Sequence, residues 1–355
     1  MSATRWQKTA VRVGEKLRKA VLHPAVLAWA DRRVKSKPWV VAFSGGADSL
    51  ALLLVLWAHW PERREKLVAL HFNHRLRGRE SAADAAFCHK VCRSLGVRLR
   101  VGEWRAARKG ASEAEARAAR HAFFAHELRT LQTNALWLAH QQDDIAESIF
   151  MRLARGSGTG GLAAPRPVHE LAGDRTHLRP FLTLKKKELV AALRQADAVW
   201  REDSSNAGSD HFRNRIRGGV LPAWVRAAER DALAGAALSR ERLEEDDDAL
   251  DAWLDELRPL TKAGRLDLRR LAGQPRALVR RALHRWLLAL PAAVELSRQG
   301  FEVLLTAVER AQPTRFSLGK DAYAVIRDGF LRREARLVPA RLRGNISNLS
   351  TGPRI

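Results

Sequence analysis

The stretch Trp39-Val40-Val41-Ala42-Phe43-Ser44-Gly45-Gly46-Ala47-Asp48-Ser49 decides the fold. Its first five residues are apolar and include β-branched and aromatic side chains, which predicts a buried strand. The apolar run over 50–57 predicts a buried helix, so a Ser-Gly-Gly turn joins a strand to a helix. Glycines let a backbone approach a phosphate closely, and the first N–H groups of a helix point at the same place. The stretch therefore predicts a phosphate-binding loop, with a plain helix-capping turn as the alternative.

The following residues repeat the alternation of strand and helix. Strands are predicted at 39–43, 67–72, 97–101 and 135–139, and helices at 50–57, 80–95, 112–131 and 143–153. This alternation indicates an α/β fold with a parallel, Rossmann-like sheet, whose ligands bind beyond the carboxyl ends of the strands. Ser44, His71 and His140 follow three of these strands, so we expect them at one edge of the sheet.

The chain is strongly basic. Its 355 residues contain 63 Lys and Arg against 39 Asp and Glu, a formal net charge of +24. An excess of this size indicates a polyanionic partner. The longest apolar run, 50–58, is far shorter than the ~20 residues of a membrane span. We therefore interpret the chain as a cytoplasmic protein that binds nucleic acid and no membrane.

The loop itself has a distinctive acidic residue. Asp48 would repel a phosphate directly, so we predict that it holds Mg²⁺ against one. The loop lacks the Gly-Lys-Ser/Thr ending of a Walker motif and the glycine spacing of a dinucleotide fingerprint.

The loop resembles that of the N-type ATP pyrophosphatases, which cut ATP between its α and β phosphates. Further motifs resemble those of the tRNA(Ile)-lysidine synthetases, and together with the loop they extend from about residue 40 to residue 222. These are His71-Phe72-Asn73-His74 with Arg77 and Asp84, the helix 113–120, His140-Gln141-Gln142-Asp143-Asp144 with 155–158, and Trp200, Asp203, Ser205-Asn206 and 212–217. The chain departs from the pattern at Gln141, where the family often has a second histidine.

The resemblance implies a reaction. ATP would activate the wobble cytidine of tRNA(Ile) as an O-adenylate, and free L-lysine would displace AMP to give lysidine. The implied catalytic residues are Asp48 (which also holds Mg²⁺), His140, Asp144 and Arg215. Contacts to ATP are implied for Ser44, Gly45, Gly46, Ala47, Asp48, Ser49, His71 and Arg117. Contacts to tRNA are predicted for Arg120, Arg213, Arg217, Arg280 and Arg281.

Two of these assignments stay open at this stage. Either Arg213 or Arg215 can stabilise the transferred adenylyl group, with the other gripping RNA. Arg280 and Arg281 belong to a predicted helix after Pro275, and such arginine stripes are equally typical of a solvated surface.

Four parts are predicted along the chain. They are a helical extension over 1–36, a PP-loop catalytic domain over 37–224, a smaller, mainly helical tRNA-binding domain over 225–335, and a basic tail over 336–355. A homodimer is possible on this sequence.

Three other functions compete with this prediction. A tRNA thiolase would share the loop, but it needs cysteine pairs, and this chain has only Cys88 and Cys92. An inactive RNA-binding relative would not need Asp48, His140, Asp144 and Arg215. An amidating synthetase for small acids would leave the excess of positive charge unexplained.

Overall fold

A computed structural model describes residues 4–32, 37–75, 78–106, 112–171, 173–202, 212–291, 294, 296–319 and 322–336. The chain divides into two compact units, 1–244 and 245–355. The predicted tail beyond residue 336 and the motif residues Arg77, Asp203, Ser205 and Asn206 lie outside the described residues. The four predicted domain ranges stay predictions.

The first unit is built on a six-stranded sheet. Its strands are β1 (Trp39–Ala42), β2 (Leu67–Asn73), β3 (Arg98–Glu103), β4 (Ala135–Trp137), β5 (Val168–Leu171) and β6 (Arg175–Leu178). Their spatial order is β3-β2-β1-β4-β6-β5, and all pairs are parallel except β5 with β6. The chain therefore leaves β1 in one direction and returns to β4 on its other side, which opens a crevice at the carboxyl end of β1. The predicted parallel α/β fold is confirmed.

Helices accompany this sheet along the chain. They are α1 (Arg5–Lys16), α2 (Pro24–Arg32), α3 (Ala47–His59), α4 (Arg79–Leu95), α5 (Glu113–Thr130), α6 (Gln142–Leu153), α7 (Thr159–Leu162), α8 (Lys186–Gln195), α9 (Phe212–Arg215) and α10 (Leu221–Ala227). The next helix, α11 (Ala232–Leu257), begins in the first unit and ends in the second. A π-helical turn, Ile216–Val220, joins α9 to α10. Helix α3 is buried at every position from Ser49 to Trp57, which explains why its sequence is apolar all round.

Helix α1 packs directly on α3. Trp6, Ala10 and Val13 are buried in the same core as the central strands. A Cβ atom at Gly14 would lie only 2.8 Å from Ala58 Cβ, so the close approach of the two helices requires a glycine there. The N-terminal helix is thus part of the core that supports the loop.

The second unit combines helices with a small sheet. It contains β7 (Leu266–Asp267), α12 (Arg276–Leu288), α13 (Arg298–Glu309), β8 (Thr314–Ser317), β9 (Ala322–Arg327) and β10 (Phe330–Ala335). The strands form an antiparallel sheet in the order β7-β10-β9-β8. Leu278, Ala282 and Trp286 of α12 are buried, and Leu290 packs against the same core. The sheet was not predicted, because its short strands carry arginines and lie partly exposed.

Among the helices that the structure describes, none has both the length and the apolarity that crossing a bilayer requires.

Candidate active site

The phosphate loop makes a turn that only glycine accommodates readily. Gly45 has φ of +90°, a conformation that side chains with a Cβ rarely adopt. A Cβ there would also lie 3.2 Å from Cys88 Sγ and 3.3 Å from Phe87 Cδ1 on α4. The next glycine, Gly46, is the N-cap of α3 and offers no capping side chain. The loop thus runs closely over α4 and leaves the start of α3 uncapped.

Ser44 and Ser49 fix the shape of the loop. The Ser44 N–H donates to Ser49 Oγ (3.2 Å), the Gly46 N–H donates to Ser44 Oγ (3.3 Å), and Ser49 Oγ donates to the Gly46 carbonyl (3.1 Å). The two hydroxyl oxygens are 3.0 Å apart, and because Ser49 has already donated its only proton, Ser44 is the donor between them. Both hydroxyl protons are used inside the loop. The donors left for a phosphate are the backbone N–H groups at the start of α3.

Asp48 lies in the first turn of α3 with an unsatisfied carboxylate. Its Oδ1 is buried and has no hydrogen-bond partner among the described residues. Burial raises the pKa of Asp48 to about 6; Asp144 and Asp143 add to this rise, while Lys186 and Arg217 oppose it. The negative charge of this side chain is therefore costly, because none of the described residues bonds to its Oδ1.

Two further acidic residues, Asp144 and Glu147, lie one turn apart on the same face of α6. Asp144 Oδ2 accepts the Gln141 N–H (3.1 Å), which completes a capping box, and Asp144 Oδ1 accepts from Nη2 of Arg213 (2.6 Å). The fully buried Glu147 accepts from Nε of Arg213 (2.7 Å) and from Nε of Arg217 (2.5 Å). We call these four residues, Asp144, Glu147, Arg213 and Arg217, the ion-pair cluster.

The cluster holds its arginines firmly in the charged form. Burial acts to lower the pKa of Arg213, but Asp144 and Glu147 outweigh it, and the net pKa is raised. The pKa of Arg217 is raised in the same way. Arg213 and Arg217 are four residues apart, so they share one face of the chain, and that face meets α6. Their guanidinium groups are thus bonded to protein carboxylates, which makes them weaker candidates for gripping RNA.

His140 follows β4 and is held by an arginine that the sequence analysis missed. Arg179, which is buried just after β6, donates from Nε to His140 Nδ1 (3.2 Å). Burial and then the charges of Arg179 and Arg213 lower the pKa of His140 well below its usual value. The imidazole is therefore neutral and carries its proton on Nε2.

His71 is buried behind the loop. Its Nδ1 donates to the carbonyl of Phe43 (3.0 Å), the last residue before Ser44. Burial lowers the pKa of His71 although this hydrogen bond opposes the effect. A neutral His71 therefore ties the end of β2 to the start of the loop, and any contact with ATP would be made by Nε2.

Arg201 is hydrogen-bonded both to the phosphate loop and to helix α4. Its backbone N–H donates to the Gly45 carbonyl (3.0 Å), and its Nε donates to Asp84 Oδ1 (2.7 Å) on α4. Asp84 and Trp200 belong to the motifs that carry the resemblance, and Arg201 adjoins the second of these. The sequence signal for Arg201 was therefore present, but nothing local to it indicates a contact with residue 45.

The remaining predicted residues of the first unit are more exposed. Arg117 is exposed on α5 and Arg120 is half-buried one turn further on. Both lie close enough to His140 to lower its pKa. Arg215 is exposed, with its guanidinium 5.8 Å from the centre of the Phe212 ring, on another side of the chain from Arg213 and Arg217. The structure thus brings Asp48, Asp144, Arg213, Arg217 and His140 together, and it leaves Arg215 outside the ion-pair cluster.

Arg280 and Arg281 lie in the second unit and differ from each other. Arg280 is exposed on α12, whereas Arg281 is bonded to Asp247 and, at 2.7 Å, to Asp251. Arg285 likewise pairs with Asp251 and Asp255. The acidic run on α11 thus supplies partners for the arginine stripe of α12. Among the predicted pair, Arg280 is the better candidate for an RNA contact.

The two cysteines are buried on α4. Burial raises the pKa of Cys92 to about 12 and raises that of Cys88 as well. Thiols that stay protonated are poor nucleophiles and poor metal ligands. These cysteines therefore fill space in the core.

Comparison with known proteins agrees with this geometry. Residues 15–224 match the family described as the PP-loop domain, so the chain belongs to the PP-loop family. A tRNA(Ile)-lysidine synthase from Xanthomonas campestris is 40% identical over 290 residues, which is 78% of this chain and 63% of the relative. The protein of the same name from Bacillus subtilis is 32% identical over 291 residues, covering 80% of this chain and 58% of the relative. The predicted resemblance is confirmed, although the chain spans less than two thirds of the length of these relatives.

Among solved structures, the U34-tRNA thiolase NcsA from Methanococcus maripaludis superposes with a TM-score of 0.50 at 16% identity. The match covers 67% of this chain and 78% of that one. At this level of identity the likeness concerns the fold alone.

Proposed function

We propose that the chain ligates the ε-amine of free L-lysine to C2 of the wobble cytidine of tRNA(Ile), cleaving ATP to AMP and pyrophosphate. The names of its relatives support the substrate pair, and the PP-loop family supports the use of ATP. The observation that carries the proposal is the unsatisfied carboxylate of Asp48 at the start of α3, electrostatically coupled to Asp144. A binding module would have no use for such a costly pair.

The first half-reaction would activate the cytosine. Its carbonyl carbon is a poor electrophile because the ring nitrogens donate into it, so the oxygen must become a better leaving group. That oxygen would attack the α-phosphorus of ATP, forming an O-adenylate and releasing pyrophosphate. The N–H groups at the start of α3 would bind the phosphates, and neutral His140 would donate from Nε2 to the oxygen or to the α-phosphate.

The chemistry of Asp48 fits a magnesium ion. A partnerless buried oxygen with a raised pKa gains most from a divalent cation, and Mg²⁺ commonly takes one or two carboxylates together with nucleotide phosphates. Among the described residues, no three His, Cys, Asp or Glu side chains assemble into a metal site, so most ligands would come from ATP and water. When bound, Mg²⁺ would neutralise charge on the departing pyrophosphate.

The second half-reaction would join lysine to C2 and expel AMP. The attacking amine must be neutral, and deprotonating it at pH 7 from a pKa of about 10.4 costs about 4.6 kcal/mol. Asp144 would orient the ammonium and accept its proton. The carboxylate is bonded to Arg213 in this structure, so the lysine cation would have to compete with that arginine for it.

A direct test uses the whole chain with total tRNA, ATP and labelled lysine, followed by nucleoside analysis. We expect a nucleoside that has gained lysine, and cleavage of ATP to AMP and pyrophosphate only when tRNA is present. Equal ATP cleavage without RNA would instead indicate a small-molecule synthetase. The homodimer and the cytoplasmic location stay predictions.

The exchange of Asp144 for asparagine separates transfer from binding. Asn keeps the shape of the capping box but removes the negative charge, so we expect lysine incorporation to fall at least ~100-fold, with tRNA affinity unchanged in a filter-binding assay. Asp143→Asn is the matched control, because Asp143 lies on the same turn but accepts from the Lys186 N–H (3.0 Å). Unimpaired turnover of Asp144→Asn would remove Asp144 from the mechanism.

The exposed arginine of α12 should contribute to tRNA affinity through charge. For Arg280→Gln we expect the log–log slope of affinity against salt to fall by ~0.9 if one duplex phosphate contact is lost. Arg281→Gln is the control: because Asp247 and Asp251 already neutralise Arg281, it should lower the melting temperature and leave the slope unchanged. Equal slopes for wild type and Arg280→Gln would show that this face does not contact tRNA.

A further inference from the structure

Among the described residues, the buried Arg179 makes no ion pair, although the more distant Asp144 acts to raise its pKa. Its three side-chain hydrogen bonds to residues in the described ranges all go to neutral acceptors. They are His140 Nδ1 (3.2 Å from Nε), the Arg166 carbonyl (2.7 Å from Nη1) and His177 Nδ1 (3.4 Å from Nη2). Burial and then Arg117 lower the pKa of Arg179 to about 10. Burying a guanidinium this way costs free energy, which favours a role for Arg179 beyond packing.

The geometry restricts what His140 can do. A guanidinium nitrogen can only donate, so His140 Nδ1 must accept and cannot carry a proton. The ring is therefore fixed in the Nε2–H tautomer. The Arg166 and His177 bonds hold the guanidinium in place, so that rotation of Arg179 away from His140 would break three hydrogen bonds at once.

The groups that face His140 from other elements reinforce this state. They are Arg179 after β6, Arg213 on α9, and Arg117 and Arg120 on α5, and all of them are cations that disfavour an imidazolium. His177 and His121, which are stacked 6.2 Å apart nearby, are also held neutral, the pKa of His177 being lowered to about 3 by burial and then Arg179.

We propose that Arg179 is a positioning residue that locks His140 in its Nε2–H tautomer. Nε2 is then always available as a hydrogen-bond donor to the cytosine oxygen or to the α-phosphate of ATP. This proposal deepens the proposed function and rests on it for the identity of the acceptor. The tautomer itself is a property of the free protein and can be measured without turnover.

The primary test is ¹⁵N-histidine NMR of the full chain, with the His140 signals assigned from His140→Gln. In the wild type we expect the Nε2–H tautomer and no protonation between about pH 5.5 and pH 8, the range in which ordinary histidines titrate. Arg179→Met removes the donor at similar length, so His140 should show a tautomer mixture or titrate within that range. Arg175→Met is the matched control, since it removes one positive charge at the other end of β6 and should leave the His140 signals unchanged.

Kinetics provide the second readout. In Arg179→Met we expect kcat for tRNA-dependent AMP formation to fall roughly 100-fold with little change in KM for lysine, and Arg179→Lys, which keeps a donor and a charge, should recover part of the loss. A wild-type Nδ1–H tautomer, or unchanged His140 signals in Arg179→Met, would overturn the proposal. If Arg179→Met does not fold, the wild-type tautomer and the Arg179→Lys spectrum decide. If NMR finds the expected tautomer but the chain transfers no lysine to tRNA, the proposed function is refuted, whereas the positioning of His140 by Arg179 still holds.

Discussion

Glu147→Gln is expected to lower the free energy of unfolding by about 3 kcal/mol, the cost of breaking a buried ion pair from one side. Glu147 is 1% exposed and is bonded to both Arg213 and Arg217. A neutral amide cannot compensate the charge of these two half-buried guanidinium groups, and the Asp144 carboxylate lies 2.6 Å from Arg213 but 3.9 Å from Arg217. Urea denaturation of the full chain, followed by tryptophan fluorescence, measures the change.

Two further variants make this measurement decisive. Asp197→Asn removes an exposed ion pair with Arg12, and it should cost less than about 1 kcal/mol. The double variant Glu147→Gln with Arg217→Met should recover part of the loss, because it removes one of the two cations whose Glu147 carboxylate the single variant takes away. A Glu147→Gln protein as stable as Asp197→Asn would show that the ion-pair cluster does not hold α9 against α6.

The edge of the sheet that carries the phosphate loop could be predicted from sequence because its signals are local. The apolar run before Ser44, the glycines of the turn and the apolar helix after it are contiguous, so one stretch specified strand, loop and helix. The carboxyl ends of parallel strands then had to bring Asp48 and His140 to one edge.

What the sequence did not reveal depends on contacts between distant residues. Glu147 reaches arginines 66 and 70 positions away, and no periodicity records such a pairing. Arg179 follows a short strand, Arg175–Leu178, whose mixed polar sequence lacks the alternation of a recognisable strand. Its bond to His140, 39 residues away, was therefore beyond pattern analysis.

The arginine stripe of α12 is another feature whose contacts join separate segments of the chain. From sequence, the arginines of α12 could be interpreted either as a solvated surface or as an RNA contact, with nothing to connect them to the acidic run of α11. In the structure they are largely partners, through Arg281 and Arg285. Such pairs contribute nothing to the net charge of +24, so the excess positive charge must be sought at exposed positions such as Arg280.

Asp48→Asn is expected to reduce tRNA-dependent AMP formation by ~1,000-fold or more while making the protein more stable. The loss follows because the proposed Mg²⁺ ligand disappears, and metal charge stabilisation contributes several kcal/mol to such reactions. The gain follows from the raised pKa of Asp48, from 3.8 to about 6. A carboxyl whose folded pKa lies above its unfolded pKa destabilises the fold fully above about pH 6, and this penalty vanishes below pH 3.8.

The stability of Asp48→Asn should therefore exceed that of the wild type by about 2 kcal/mol at pH 7.5, and the difference should shrink as the pH falls through 6 towards 4. Urea denaturation in EDTA at several pH values measures it. Adding Mg²⁺ with ATP should raise the melting temperature of the wild type and leave that of the variant nearly unchanged, since only a ligand that binds the folded state stabilises it. A variant that is less stable than the wild type at pH 7.5 would mean that the Asp48 carboxylate is satisfied by the protein itself. The case for a nucleotide-bound metal at the start of α3 would then be lost.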